Sequence, residues 1–140
     1  MTLVQLTFFA LSAGALAGGL LLVLKGLRIR FPRWFGAAHG LWNLSGIVLL
    51  FAANLVDGQS VSAARWWALG IFVTALSGGL VLCRALFQGR VPVAAAGLHG
   101  LMACFGLYLL APAAGFGNSG HAMAGRLVEA PFQLLECRSK

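Results

Sequence analysis

Acidic side chains are nearly missing from this chain: Asp57, Glu129 and Glu136 are the only three among 140 residues. Lysine and arginine add ten more charges, and the charged fraction reaches 9%, against about 25% in soluble domains. There is too little polar surface here to coat a water-soluble core. None of the three acids falls inside a long apolar run, which argues against a proton pump or an ion-coupled carrier, since these use ionisable groups within the membrane. Cysteine is scarce as well. Cys83, Cys104 and Cys137 fall near one membrane surface, within an apolar run and in the C-terminal tail, so neither a disulfide framework nor a thiolate metal cluster is expected. No motif brings together a nucleophile, a base and an acid, which excludes a recognisable hydrolase. The alternating pattern of a membrane barrel is also absent.

What is present is apolar sequence: 60% hydrophobic residues and a mean hydropathy of +0.90. Four runs are long enough to cross a hydrocarbon layer, which takes roughly 20 residues. They extend from about Leu3 to Leu24, Trp34 to Leu55, Trp66 to Phe87 and Val91 to Ala113. Helices are the expected structure, because in lipid every backbone donor and acceptor must be paired within its own segment. Ala15, Leu16 and Ala17 look like a signal-peptide cleavage site, but no basic segment precedes the run. The net charge of +7 is a feature of membrane topology and does not point to nucleic acid. Lys25, Arg28, Arg30 and Arg33 separate the first two runs, and Arg84 and Arg90 flank the turn between the last two. The positive-inside rule puts both turns in the cytoplasm and both termini on the periplasmic side of a bacterial inner membrane. Trp34, Trp66 and Trp67 stand at the expected interfaces.

Displaced by sixty positions, the chain matches itself without a gap. From Ala15 to Leu50 against Ala75 to Leu110, fourteen of thirty-six positions are identical, where a composition of this kind gives about four by chance. Gly18-Gly19-Leu20 recurs as Gly78-Gly79-Leu80, Arg30 and Pro32 as Arg90 and Pro92, and His39-Gly40-Leu41 as His99-Gly100-Leu101. A two-span unit inserts both copies the same way up. The expected fold is therefore an all-α integral membrane protein, a four-helix transmembrane bundle built from two tandem, parallel-oriented two-helix repeats. Residues 1–113 form this domain, with repeats at about 11–55 and 71–113, and residues 114–140 form an extracytoplasmic tail. Proline at Pro32 and Pro92 suits a first helical turn. The small residues at Ala15/Gly19 and Ala75/Gly79 read as helix-packing patches.

Helix packing does not account for a histidine at the same place in both copies. His39 and His99 fall at equal depth, ~8–10 Å below the cytoplasmic surface. Positions three, four and seven apart share a helix face. That face carries Gly36, Asn43 and Gly46 around His39, and Ala96, Ala103 and Gly106 around His99. Small residues above and below each imidazole describe a slot for a flat macrocycle ligated from both sides, and histidine is an axial ligand of haem iron.

This pattern resembles the small four-helix membrane b-type cytochromes, in which paired helix histidines hold haem b. The resemblance covers the four spans and rests on His39, His99 and their small neighbours. It implies one bis-histidine haem, with His39 and His99 on the metal and the propionates directed toward Arg30, Arg33 and Arg90. The expected role is electron transfer to or from a quinone or a partner redox protein, and not an enzyme activity of the chain alone. Membrane lipid surrounds such a chain, which would belong to a larger respiratory or photosynthetic complex or to a homo-oligomer. Two further readings stay open. One is a bacteriochlorophyll-binding subunit with one pigment per histidine, because Ala95 stands four residues before His99 as antenna-type sites require, although Phe35 breaks that rule before His39. The other is a ligand-free accessory subunit. Two imidazoles alone leave a zinc or copper site half filled.

Overall fold

The structure, a computed structural model, describes residues 1–29, 32, 34–87 and 93–116, without the side chains of 83–87 and 93. Among these residues are four α-helices: α1 (Leu3–Gly26), α2 (Trp34–Asp57), α3 (Ala63–Phe87) and α4 (Val93–Leu110), with a 3-10 turn at Gly58–Ser60. The first three are long and apolar enough to cross a membrane. The fourth is shorter, with 18 residues, or about 27 Å at 1.5 Å per residue. It ends at Leu110, short of the expected boundary at Ala113.

The helix ends follow from local chemistry. Thr2 caps α1: its hydroxyl accepts from the Gln5 amide at 3.2 Å, and the Gln5 side chain accepts from the Thr2 amide at 2.9 Å. This reciprocal box satisfies two otherwise unpaired donors. At the other end of α1 the Ile29 amide donates to the Leu24 carbonyl and the Arg28 amide to the Lys25 carbonyl. Arg28 takes the left-handed position of this closing motif, at φ 58°, where glycine is the usual residue. Helix α4 ends through the same arrangement. The Phe116 amide donates to Ala111 and the Gly115 amide to Pro112, with glycine in the left-handed position at φ 87°. Pro112, which has no N–H and cannot continue a regular helix, explains why α4 stops short of the expected boundary. Phe116 then stacks on Phe8 of α1, with ring centroids 5.0 Å apart.

The helices form a ring. Each helix packs on its sequence neighbour, α1 closes against α4, and among the described residues the diagonal pairs α1/α3 and α2/α4 have no Cα atoms within 8 Å of one another. The two halves of the bundle differ along its length. Toward the α2–α3 turn the core is tightly filled by Val4, Leu11, Ile47, Leu50, Ala53, Ala68, Phe72, Leu110 and Ala114. Arg65 is buried in this half. Its Nε donates to Asn54 Oδ1 at 3.0 Å and its Nη1 to Asp57 Oδ2 at 2.5 Å, tying the start of α3 to the end of α2.

The outer face is apolar. Leu16, Leu41, Val56, Trp67, Val81 and Leu101 are among many large hydrophobic side chains left more than half exposed. Several hydroxyls are satisfied within their own helix: those of Thr7, Ser45, Thr74 and Ser77 each donate to the carbonyl four residues earlier. This back-bonding leaves few polar atoms that need water.

Candidate functional site

The other half of the bundle holds a cavity of about 440 Å³ between α2, α3 and α4, with Leu11 of α1 at its floor. Both histidines line it. Helices α2 and α4 are diagonal in the ring, with no Cα atoms within 8 Å of one another, and both imidazoles line the same cavity. Its walls are overwhelmingly apolar, with His39, Asn43 and His99 supplying the polar groups. This is the usual make-up of a small-molecule site, a concave apolar space with a few placed polar groups.

Each imidazole rests on a glycine of the neighbouring helix. A Cβ added to Gly18 would stand 2.9 Å from His39 Cε1, and one added to Gly79 would stand 2.9 Å from His99 Cε1. Both rings thus lie on bare backbone, α1 seating His39 and α3 seating His99. The glycines were expected to bring helix backbones together. The structure gives them a more specific part as seats for side chains, while Gly19 and Gly78 have nothing within 4 Å.

The two seats are not equivalent by the sixty-residue repeat. The counterpart of Gly18 is Gly78, yet His99 sits on Gly79. A second contact shows the same offset. Gly46 on α2 is met by Leu11 of α1, whose repeat counterpart is Ile71, but Gly106 on α4 is met by Phe72. Helix α3 therefore packs on α4 one residue out of step with α1 on α2, an offset of about 1.5 Å along the helix and 100° around it.

Of the expected slot residues, Gly36, Asn43 and Ala103 line the cavity with the histidines. Gly46 and Gly106 lie below it, where Leu11 and Phe72 fill the space beside them and close the slot toward the core. Ala96 is half-buried and does not line it. Arg30, Arg33 and Arg90 lie outside the described residues. Arg28 is exposed at the end of α1. Cys104 is exposed, away from the cavity.

Asn43 is the polar neighbour of His39. Its Nδ2 donates to the His39 carbonyl at 2.8 Å and lies 3.3 Å from Nδ1 and 3.4 Å from Nε2 of the ring. Gly14 holds the amide in place, because any side chain there would overlap Asn43. Among the described residues no three His, Cys, Asp or Glu side chains converge as a metal-binding group. The donor set is two imidazoles, which suits a metal whose remaining positions are filled by a macrocycle and fits poorly with a metal held by side chains alone.

Sequence reasoning missed Leu11, Phe72, Gly18 and Gly79 as parts of the site, and Arg65 with Asn54 as a buried polar link. The last was traceable. Asn54 and Asp57 are three apart on one helix face, eleven and eight residues before an arginine across a glycine turn. Comparison with protein-family models, curated proteins and solved structures finds no match to this chain.

Proposed function

We propose that this chain is an integral membrane b-type cytochrome, or the haem-bearing anchor of a larger redox complex, that binds one haem b between His39 and His99 and exchanges electrons with a quinone or a partner redox protein. One observation carries the reading: two histidines on diagonal helices, whose Cα atoms stay more than 8 Å apart, line a single apolar cavity of about 440 Å³. The volume is of the order found for cofactor sites, about 300–1,000 Å³. The glycine seats at Gly18 and Gly79 leave bare backbone beneath both rings, as two bulky ligands facing one macrocycle require. Two separate pigments would call for two separate spaces, and here both imidazoles open on the same one.

Insertion in a bacterial inner membrane with both termini outside is part of this proposal. Its support is the length of α1–α3, the apolar outer face and the basic residues between runs. Arg28, Arg30, Arg33 and Arg90 are then the cations available to the propionates on the cytoplasmic side. Bound haem supplies a one-electron iron couple. The chain itself contributes the two imidazoles, an apolar surround that raises the energy of charge on the metal, and exclusion of water by Leu11, Phe72 and Ile47.

Absorption spectra of the purified, oxidised and reduced protein from haem-replete cells test this, with His39→Ala and His99→Ala alongside. The expected result is a low-spin b-type spectrum in the unaltered protein that either substitution abolishes or converts. A colourless preparation, or a spectrum unchanged by both substitutions, would overturn the reading, and far-red bands would replace haem by a chlorophyll-type pigment.

A further inference from the structure

The cavity does not follow the symmetry of the repeat. On α2 its lining includes three successive residues, His39, Gly40 and Leu41, which span an arc of about 200° around the helix. Helix α4 is the repeat counterpart of α2, and among the described residues it contributes only His99 and Ala103, an arc of about 40°. The other pair is just as unequal: α3 lines the cavity from Phe72 to Leu80, whereas its counterpart α1 contributes Leu11. The cavity thus spreads toward the α2–α3 side of the ring and stops at the α4–α1 side.

On the α2–α3 side the cavity reaches the outer face. Ala37, Leu41 and Leu44 of α2 and Leu80 of α3 line it and are also exposed. Exposure by itself does not mark a mouth. Leu41 and Leu80 are 66% and 64% exposed, and their counterparts Leu101 and Leu20 are 68% and 59% exposed, yet neither counterpart lines the cavity. Gly40 adds bare backbone to this edge. A Cβ there would meet nothing within 4 Å, and the same holds at its counterpart Gly100, which does not line the cavity. Leu41 and Leu44 stand ~10–15 Å from the start of α2, a depth that belongs to the hydrocarbon layer of a spanning helix. Among the described residues no charged side chain lines the cavity.

Building on the haem reading, we infer that the cavity is loaded from the bilayer: haem, a flat and largely apolar ring, enters sideways between α2 and α3, and Gly40 and Leu80 set the width of that mouth. An entrance walled by alanine, glycine and leucine lets the ring pass from lipid to protein without stripping water from buried polar groups, which is the costly part of moving a molecule into a protein interior. The two polar groups that ligate, His39 and His99, stand behind this mouth. The α4–α1 side, which an exact repeat would make a second entrance, is shut.

The test is the rate at which the full chain, prepared from haem-deficient cells and reconstituted in liposomes, takes up added haemin, followed by haem absorption. The repeat supplies matched controls: Gly40→Phe is compared with Gly100→Phe, and Leu80→Trp with Leu20→Trp. A bulky side chain at either edge of the mouth must be displaced before the ring can pass, so Gly40→Phe and Leu80→Trp should each slow uptake about tenfold. Both should reach the final haem content and spectrum of the unaltered chain, and Gly100→Phe and Leu20→Trp should keep its rate. The two mouth variants lie on different helices, so one serves if the other fails to fold. Equal rates in all four variants place the entrance elsewhere; they overturn the inference and leave the haem reading standing. Equal slowing by a mouth variant and its control does the same, as does a lower final haem content at an unchanged rate, which would mean that the new side chain fills the cavity instead of its mouth. An unaltered chain that takes up no haem overturns both.

Discussion

Four glycine-to-alanine substitutions separate the observed packing from an ideal repeat. On Gly79 the new methyl would lie 2.9 Å from His99 Cε1 and 3.6 Å from each ring nitrogen, and on Gly18 it would lie 2.9 Å from His39 Cε1 and 3.3 Å from Nε2. Carbon atoms in ordinary contact stand about 3.5–4.0 Å apart, so each ring must retreat by roughly 0.6–1 Å, more than the ~0.5 Å tolerance of a well-held site. Overpacking of this size costs about 1–3 kcal/mol, partly offset by the ~1 kcal/mol that alanine gains over glycine in a helix. Gly19→Ala and Gly78→Ala meet nothing within 4 Å and should show the gain alone. Haem per chain and thermal unfolding in detergent, measured for all four variants, give the answer. If the chain binds haem as proposed, Gly18→Ala and Gly79→Ala should lose it and melt earlier, whereas their immediate neighbours keep it and melt no earlier than the unaltered chain. An exact repeat requires Gly18 to behave like Gly78 and Gly19 like Gly79, and that outcome would refute the one-residue offset of α3.

Two further substitutions probe the frame around the site. Arg28 holds a left-handed backbone at φ 58°, and glycine there relieves about 1 kcal/mol of strain, so Arg28→Gly should raise the melting temperature; a lower one would show that the arginine side chain stabilises the fold by more than that. Asp57→Ala leaves the buried Arg65 guanidinium without its carboxylate and should cost about 2 kcal/mol, below the 3–5 kcal/mol of a fully buried pair because Asp57 is 39% exposed. Adding Arg65→Met should restore most of the loss in the same melting assay, and an equally unstable double variant would mean that the pair itself contributes the stability.

The sequence by itself settled the number and type of the elements, because apolar runs of about twenty residues between basic clusters have no alternative to helix in a chain this poor in charge. It also marked His39 and His99, since a sixty-residue repeat brings both to corresponding places on α2 and α4. The capping box at Thr2 and Gln5 and the stop before Pro112 are local chemistry, yet the expected fourth run extends past Pro112 to Ala113, whereas α4 ends at Leu110. The rotation of each helix about its axis is not local. Adjacent residues differ by 100° around a helix, so Gly18-Gly19 and Gly78-Gly79 read alike, and only packing across the hairpins turns Gly18 inward on α1 but Gly79 inward on α3. The unequal halves of the bundle arise in the same way: Leu11 beside Gly46 and Phe72 beside Gly106 fill one half, and the bare backbone beneath His39 and His99 leaves the other open. Two histidines in corresponding positions were evident from the sequence, but their sharing one cavity is a property of the diagonal helices and of the one-residue offset that seats them.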